Sequence, residues 1–127
     1  MSKTVMTEKA PKPVGPYSQA IVSKGLVFCS GQIGIDPSTG KLVEGGIERE
    51  TEQVLDNLRN VLDAAGSSMD KVLRCTIYVT EMSNFQKVNA IYGKRFQADP
   101  PARTTVGVIA LPMKAMVEID VIAEITP

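Results

Sequence analysis

The chain has no histidine and no tryptophan, and only three tyrosines and three phenylalanines among its 127 residues. Without histidine there is no Ser-His-Asp or Cys-His triad, no histidine-ligated zinc and no histidine acid–base pair. Proton traffic in any chemistry here must run through carboxylates, hydroxyls, backbone groups or water. Net charge is absent as well, because 14 Lys and Arg balance 14 Asp and Glu. Basic residues never cluster beyond pairs such as Lys94-Arg95. That speaks against a nucleic-acid surface, which needs a concentrated positive footprint. Near-neutral copies repel one another little, so self-association is easy. No apolar run nears the ~18 residues of a membrane span, and the opening MSKTVMTEKAPKP has no signal-peptide apolar core. The two cysteines, Cys29 and Cys75, sit in separate strand-like runs with no CxxC. They read as buried reduced thiols of a cytosolic protein rather than as a disulfide.

What is present fits one domain over residues 1–127, with no repeat, linker or low-complexity tract. QAIVSKG and LVFCSGQ are apolar runs split by Ser23-Lys24-Gly25, a hairpin signal. DPSTGK is a turn. Val54, Leu55, Leu58, Val61, Leu62 and Ala65 then recur at three- and four-residue steps, predicting an amphipathic helix over about 47–65 with Gly66 as its C-terminal cap. VLRCTIYV is a strand rich in β-branched residues. Ser83 is placed to cap a second helix whose stripe is Phe85, Val88, Tyr92 and Phe96, ending before Pro100-Pro101. Strands follow over 103–109 and 117–125. The order predicts an α+β fold: one mixed sheet with two helices packed on one face. Arg103, Thr105 and Gly107 alternate with Val106 and Val108, and Glu118 and Asp120 alternate with Val117, Ile119 and Val121. The expectation is a partly polar sheet face opposite the helices, covered by another subunit.

Four polar clusters qualify for chemistry. In GPYSQA, Gly15-Pro16 presents Tyr17, although the pattern favours a ring packed at a sheet corner with its hydroxyl tied to backbone. In CSGQIG, Ser30 and Gly31 either admit a ligand close to the backbone or mark a strand end or bulge. Asn89 lies beside the apolar stripe of the second helix, where a local hydrogen bond is its ordinary use. Arg103 offers a planar fork matched to a carboxylate, either of an organic acid or of a neighbouring side chain. Glu118 is considered with it. A plain hairpin between the last two strands would set Glu118 opposite Val108, so contact between the two does not follow.

Taken in order and spacing, GPYSQA, SGQIG, VNAIYGKRF, PPARTTVGVIALP and VEIDVIA resemble the RidA family (reactive intermediate deaminase A, also called YjgF). The likeness spans nearly the whole chain and is most specific in P-A-R-T-T-V-G-V followed by V-E-I-D. It implies a chorismate-mutase-like fold and a homotrimer with clefts at the subunit boundaries. It also implies a cytoplasmic hydrolase that needs no metal or organic cofactor. The implied reaction turns reactive 2-imino acids (2-aminoacrylate/2-iminopropanoate and 2-iminobutanoate) into 2-keto acids and ammonia, a role in metabolite damage control. Arg103 would then hold the substrate carboxylate, and Tyr17, Ser30 and Gly31 would line the cleft. Asn89 would reach in from a neighbouring subunit. Glu118 would position water or a proton, with Tyr17 as the other relay. Several members carry cysteine where this chain has Thr105, so a thiol mechanism does not transfer, though a hydroxyl contact does. Two other classes stay open: a non-catalytic carboxylate-binding regulator, and a ribonuclease or translation inhibitor.

Overall fold

The computed structural model describes residues 2–125. Its strands are β1 Lys3–Val5, β2 Ala20–Ser23, β3 Leu26–Gln32, β4 Ile35–Asp36, β5 Lys41–Leu42, β6 Val72–Val79, β7 Ala102–Gly107 and β8 Val117–Glu124. The helices are α1 Gly46–Ala65 and α2 Phe85–Arg95. Six strands form one sheet in the order β1-β2-β3-β8-β6-β7, with β6 and β7 parallel and the other neighbours antiparallel. β4 and β5 make a small separate hairpin. Among the described residues no helix is long and apolar enough to cross a membrane.

The predicted periodicities locate the core. α1 buries Val54, Leu55, Leu58, Val61 and Leu62 against Val27 of β3 and the Val117, Ile119, Val121 and Ala123 side of β8. Gly66 ends α1 with φ 85°, a conformation that favours glycine. α2 lies beside α1 on the same face and buries Val88 and Tyr92, with Phe96 just beyond its end. Both helices therefore cover one face of a mixed sheet, as the α+β expectation requires. The other face carries Phe28, Tyr78, Val106, Glu118, Asp120 and Ile122 and has no layer over it within the subunit. Phe28 is 43 % exposed and Val106 38 %, a large apolar exposure for a sheet centre.

Three expectations are corrected. Ser83 does not cap the second helix: it lies inside a 3-10 turn, Met82–Asn84, and the cap position falls to Asn84. Neither turn nor helix has a side-chain cap bond; the first α2 groups are satisfied by the tighter turn. The last strand pair is not a hairpin, because β6 lies between β7 and β8. β7 also ends at Gly107 rather than at 109. Most consequential is the facing of β7. Arg103 pairs with Cys75 and Thr105 with Ile77, while Cys75 pairs with Val121 and Ile77 with Ile119. Paired residues share a face, so Arg103, Thr105 and Gly107 lie on the helix side, and Thr104 and Val106 share the open side with Glu118. An isolated strand's alternation says which residues go together but not which set faces in. On this edge strand the polar set faces in.

Candidate functional site

The predicted residues gather in two places, one on each face of the sheet. On the open face, Tyr17, Ser30, Gly31, Glu118 and Pro112 line a shallow cleft of about 320 Å³. A bulge in β3 makes it. Cys29 opposes Val121 and Gln32 opposes Ile119, so three steps along β3 match two along β8. Such an insertion bends the strand and re-aims its side chains. Ser30 is held by its N–H donating to the Gln19 carbonyl at 2.9 Å and by its hydroxyl donating to the Ser18 carbonyl at 2.6 Å. Gly31 is required by proximity: a Cβ there would overlap the Glu118 carboxylate and lie 2.9 Å from its Cδ. Tyr17 is 49 % exposed, and its hydroxyl accepts a bond from the Val14 N–H at 3.3 Å. The backbone tie expected for this tyrosine is present, and its ring still forms a wall. Glu118 is half-buried and has no ion-pair partner among the described residues. Burial, and secondarily the nearby Asp120 charge, holds its carboxyl above the usual range.

Residues that sequence reasoning passed over hold this cleft in place. Gln19 is buried. Its side chain accepts from Thr7 N–H at 2.7 Å and donates to the carbonyls of Thr7, Ala10 and Pro11, which fastens the N-terminal segment. From α1, Asn57 donates to the carbonyls of Ile33 and Ile35 just after the bulge. Glu50 accepts the Met116 N–H at 2.8 Å, two residues before Glu118. Burial pushes the Glu50 carboxyl up, and the Met116 bond opposes that. The one available signal was polar residues on the buried stripe of an amphipathic helix, where each needs a partner.

On the helix face, at the sheet edge, stands Arg103. Its Nη1 donates to Asn89 Oδ1 at 2.7 Å. Its guanidinium carbon lies 4.9 Å from the centroid of the Tyr92 ring and 5.5 Å from that of Phe85. It is half-buried and has no carboxylate partner among the described residues, where the ion pairs are Arg59–Asp56, Arg95–Glu52 and Arg95–Asp56. Thr105, next on the same side of β7, keeps its hydroxyl oxygen buried without a hydrogen-bond partner. The Tyr92 hydroxyl faces the Cys75 thiol and has no other partner. Burial pushes Cys75 up to about 11 and Cys29 to about 12, which leaves both thiols protonated and inert at neutral pH.

The structure thus brings Tyr17, Ser30, Gly31 and Glu118 together, and separately Arg103, Asn89 and Thr105. It does not bring Arg103 to Glu118 within one subunit. Asn89 does not stand apart from Arg103 as the family resemblance implied; the two are hydrogen-bonded in the same chain. Among the described residues no cluster of acidic or cysteine side chains is placed to hold a metal.

Comparisons with known proteins agree with this geometry. The family model described as Endoribonuclease L-PSP matches residues 7–125. The chain is 45 % identical over 121 residues to the mouse protein named 2-iminobutanoate/2-iminopropanoate deaminase, covering 95 % of this chain and 90 % of that one. It superposes on the crystal structure of RidA from an Antarctic Psychrobacter with a TM-score of 0.94 and 39 % identity, over 97 % of this chain and 99 % of that one. It superposes on Escherichia coli TdcF with bound serine with a TM-score of 0.93 and 32 % identity, over 98 % and 99 %.

Proposed function

The chain belongs to the RidA/YjgF/L-PSP family, and from that premise we propose that it is an imine deaminase, a hydrolase of C=N bonds acting on small 2-imino acids. The observation that carries the reading is Arg103: a half-buried guanidinium with no carboxylate of its own, held by neutral partners only. A cation prepared in this way and left unneutralised suits an anionic ligand. The relative with bound serine and the relative named for 2-imino acid hydrolysis both point to small amino- or imino-acid chemistry.

The two half-sites face opposite sides of the sheet, so a site using both must be built by two subunits. We assign the working unit to a homotrimer in the cytoplasm. The open face of each subunit packs against its neighbours, and the Arg103 half of one subunit meets the Glu118 cleft of the next. The exposed Phe28 and Val106 are then buried by assembly. The arginine grips the substrate carboxylate and aims the imine carbon at a water in the cleft. Water adds to that carbon, the nitrogen takes up protons, and ammonia departs to leave a 2-keto acid. Imines already hydrolyse in water, so orienting the reactants supplies a large share of the acceleration. Glu118, its carboxyl raised toward neutral pH, suits proton exchange with the water and the leaving nitrogen; Tyr17 is the second candidate relay. Ser30, Gly31, Asn89 and Thr105 shape the site, and the chemistry requires no cofactor.

The test is a coupled assay. A serine dehydratase generates 2-aminoacrylate, semicarbazide traps the imine, and this protein is added as wild type or as Arg103→Ala. Faster keto-acid release and less semicarbazone with wild type alone is the expected result. Tight binding of 2-ketobutanoate with no acceleration would replace the enzyme by a carboxylate-binding regulator. A ribonuclease reading has the family description behind it, but zero net charge and the missing histidine weigh against it.

A further inference from the structure

We propose that Phe85, Asn89 and Tyr92 of α2 are positioning residues for Arg103, forming a neutral cage that presents its carboxylate-binding edge. This rests on the reading of Arg103 as the substrate's carboxylate clamp and adds the means by which the clamp is held. The three residues occur at i, i+4 and i+7, so they share one face of α2. That face meets the helix side of β7, where Arg103 projects.

The cage divides the guanidinium by chemistry. A guanidinium has two π faces and a rim of five N–H donors. Both rings lie within the ~6 Å at which a ring attracts a cation. Rings interact with the flat faces and use no donors. Asn89 Oδ1 takes one donor, at Nη1. The rest of the rim makes no bond to any described side chain and stays free for a two-point grip on a carboxylate. Tyr92 is itself fixed: it is 5 % exposed, and Phe96 braces it with ring centroids 4.6 Å apart. A long arginine held in this way loses little further freedom when the ligand arrives, which strengthens binding.

Neutrality is the essential feature. Had the partner at 89 been aspartate, the arginine would be held at least as firmly, but its charge would already be satisfied. The oxygen of Asn89 must face the guanidinium, since only an acceptor can sit there, so the side chain's remaining polar group is its donor Nδ2.

The experiment measures KM for the imine, Kd for 2-ketobutanoate by calorimetry, and the ring-current shift of the Arg103 side-chain protons by NMR. Phe85→Leu is expected to raise KM and Kd by roughly 3- to 10-fold, with kcat changed far less, and to move the Arg103 protons toward random-coil positions. Phe85→Tyr, which keeps a ring, is expected to restore them. Asn89→Asp is expected to raise KM and Kd by about 10-fold or more without lowering Tm, because it supplies a competing carboxylate. Unchanged KM and Kd in both Phe85→Leu and Asn89→Asp would overturn the cage. The clamp reading fails by a different result: Arg103→Ala binding 2-ketobutanoate as wild type does. In that case the NMR shift decides the cage alone, and a wild-type-like Arg103 spectrum in Phe85→Leu overturns it.

Discussion

The Glu118 cleft and the Arg103 cage are built by different means. The cleft is a matter of backbone: a bulge at Ser30-Gly31, a glycine admitted because a carboxylate lies against it, and loops fastened by Gln19, Glu50 and Asn57 through main-chain bonds. The cage is a matter of side chains: two rings and one amide from α2 around one arginine on an edge strand. α1 secures the first and α2 the second, on opposite faces of one sheet. Backbone-built features resist local change but fail when a Cβ intrudes. Side-chain-built features fail gradually, one contact at a time. The difference also explains why neither half alone resembles a complete active site.

The comparison breaks most completely at Arg103. Arg103→Ala is expected to lose ~3–4 kcal/mol of transition-state stabilisation, roughly 10²–10³ in kcat/KM. Its circular dichroism should match wild type, because the residue supports no core contact across the sheet. Next comes complementation between halves. Arg103→Ala and Glu118→Ala, each inactive alone, should recover about a quarter of wild-type activity when co-refolded into mixed trimers, since one boundary in four then joins two intact halves. No recovery would place both residues in one subunit's site and refute the split.

Gly31→Ala probes the backbone side. It should cost ~1–3 kcal/mol of stability through overpacking against Glu118 and lower activity more than any single cage substitution, as read by a denaturant midpoint and the coupled assay. Glu50 is subtler. Glu50→Ala leaves the Met116 N–H without its acceptor and should cost ~1–3 kcal/mol. Glu50→Gln keeps an acceptor. Burial raises the Glu50 pKa in the folded state, so the folded state binds its proton more readily than the unfolded one. That contribution to stability is fully present below the unfolded value of about 4.3 and is lost as pH rises through the folded value. Wild type minus Glu50→Gln should therefore show stability falling with rising pH across that window in pH-dependent urea titrations. The smallest effect is expected at Ser83: Ser83→Ala should move stability by less than ~0.5 kcal/mol, because the 3-10 turn rather than its hydroxyl starts α2.

Much of this protein is legible in the order of its residues. Helix α1 and its glycine cap follow from a three-and-four periodicity and a terminal Gly66. Strand β8 follows from two-residue alternation, and the missing histidine narrows the chemistry. These are local signals, set by the geometry of one helix turn or one pleat. Site residue types are legible too, because Tyr17, Gly31, Asn89, Arg103 and Glu118 sit where a plain core would place something else. The tertiary structure decided the rest. Whether Arg103 looks toward the helices or away depends on β7 pairing parallel to β6 rather than returning on β8, a long-range choice that alternation within one strand leaves open. The same pairing set Asn89 beside Arg103, turned two stripe aromatics into the faces of a cation cage, and separated that arginine from Glu118 by the thickness of the sheet.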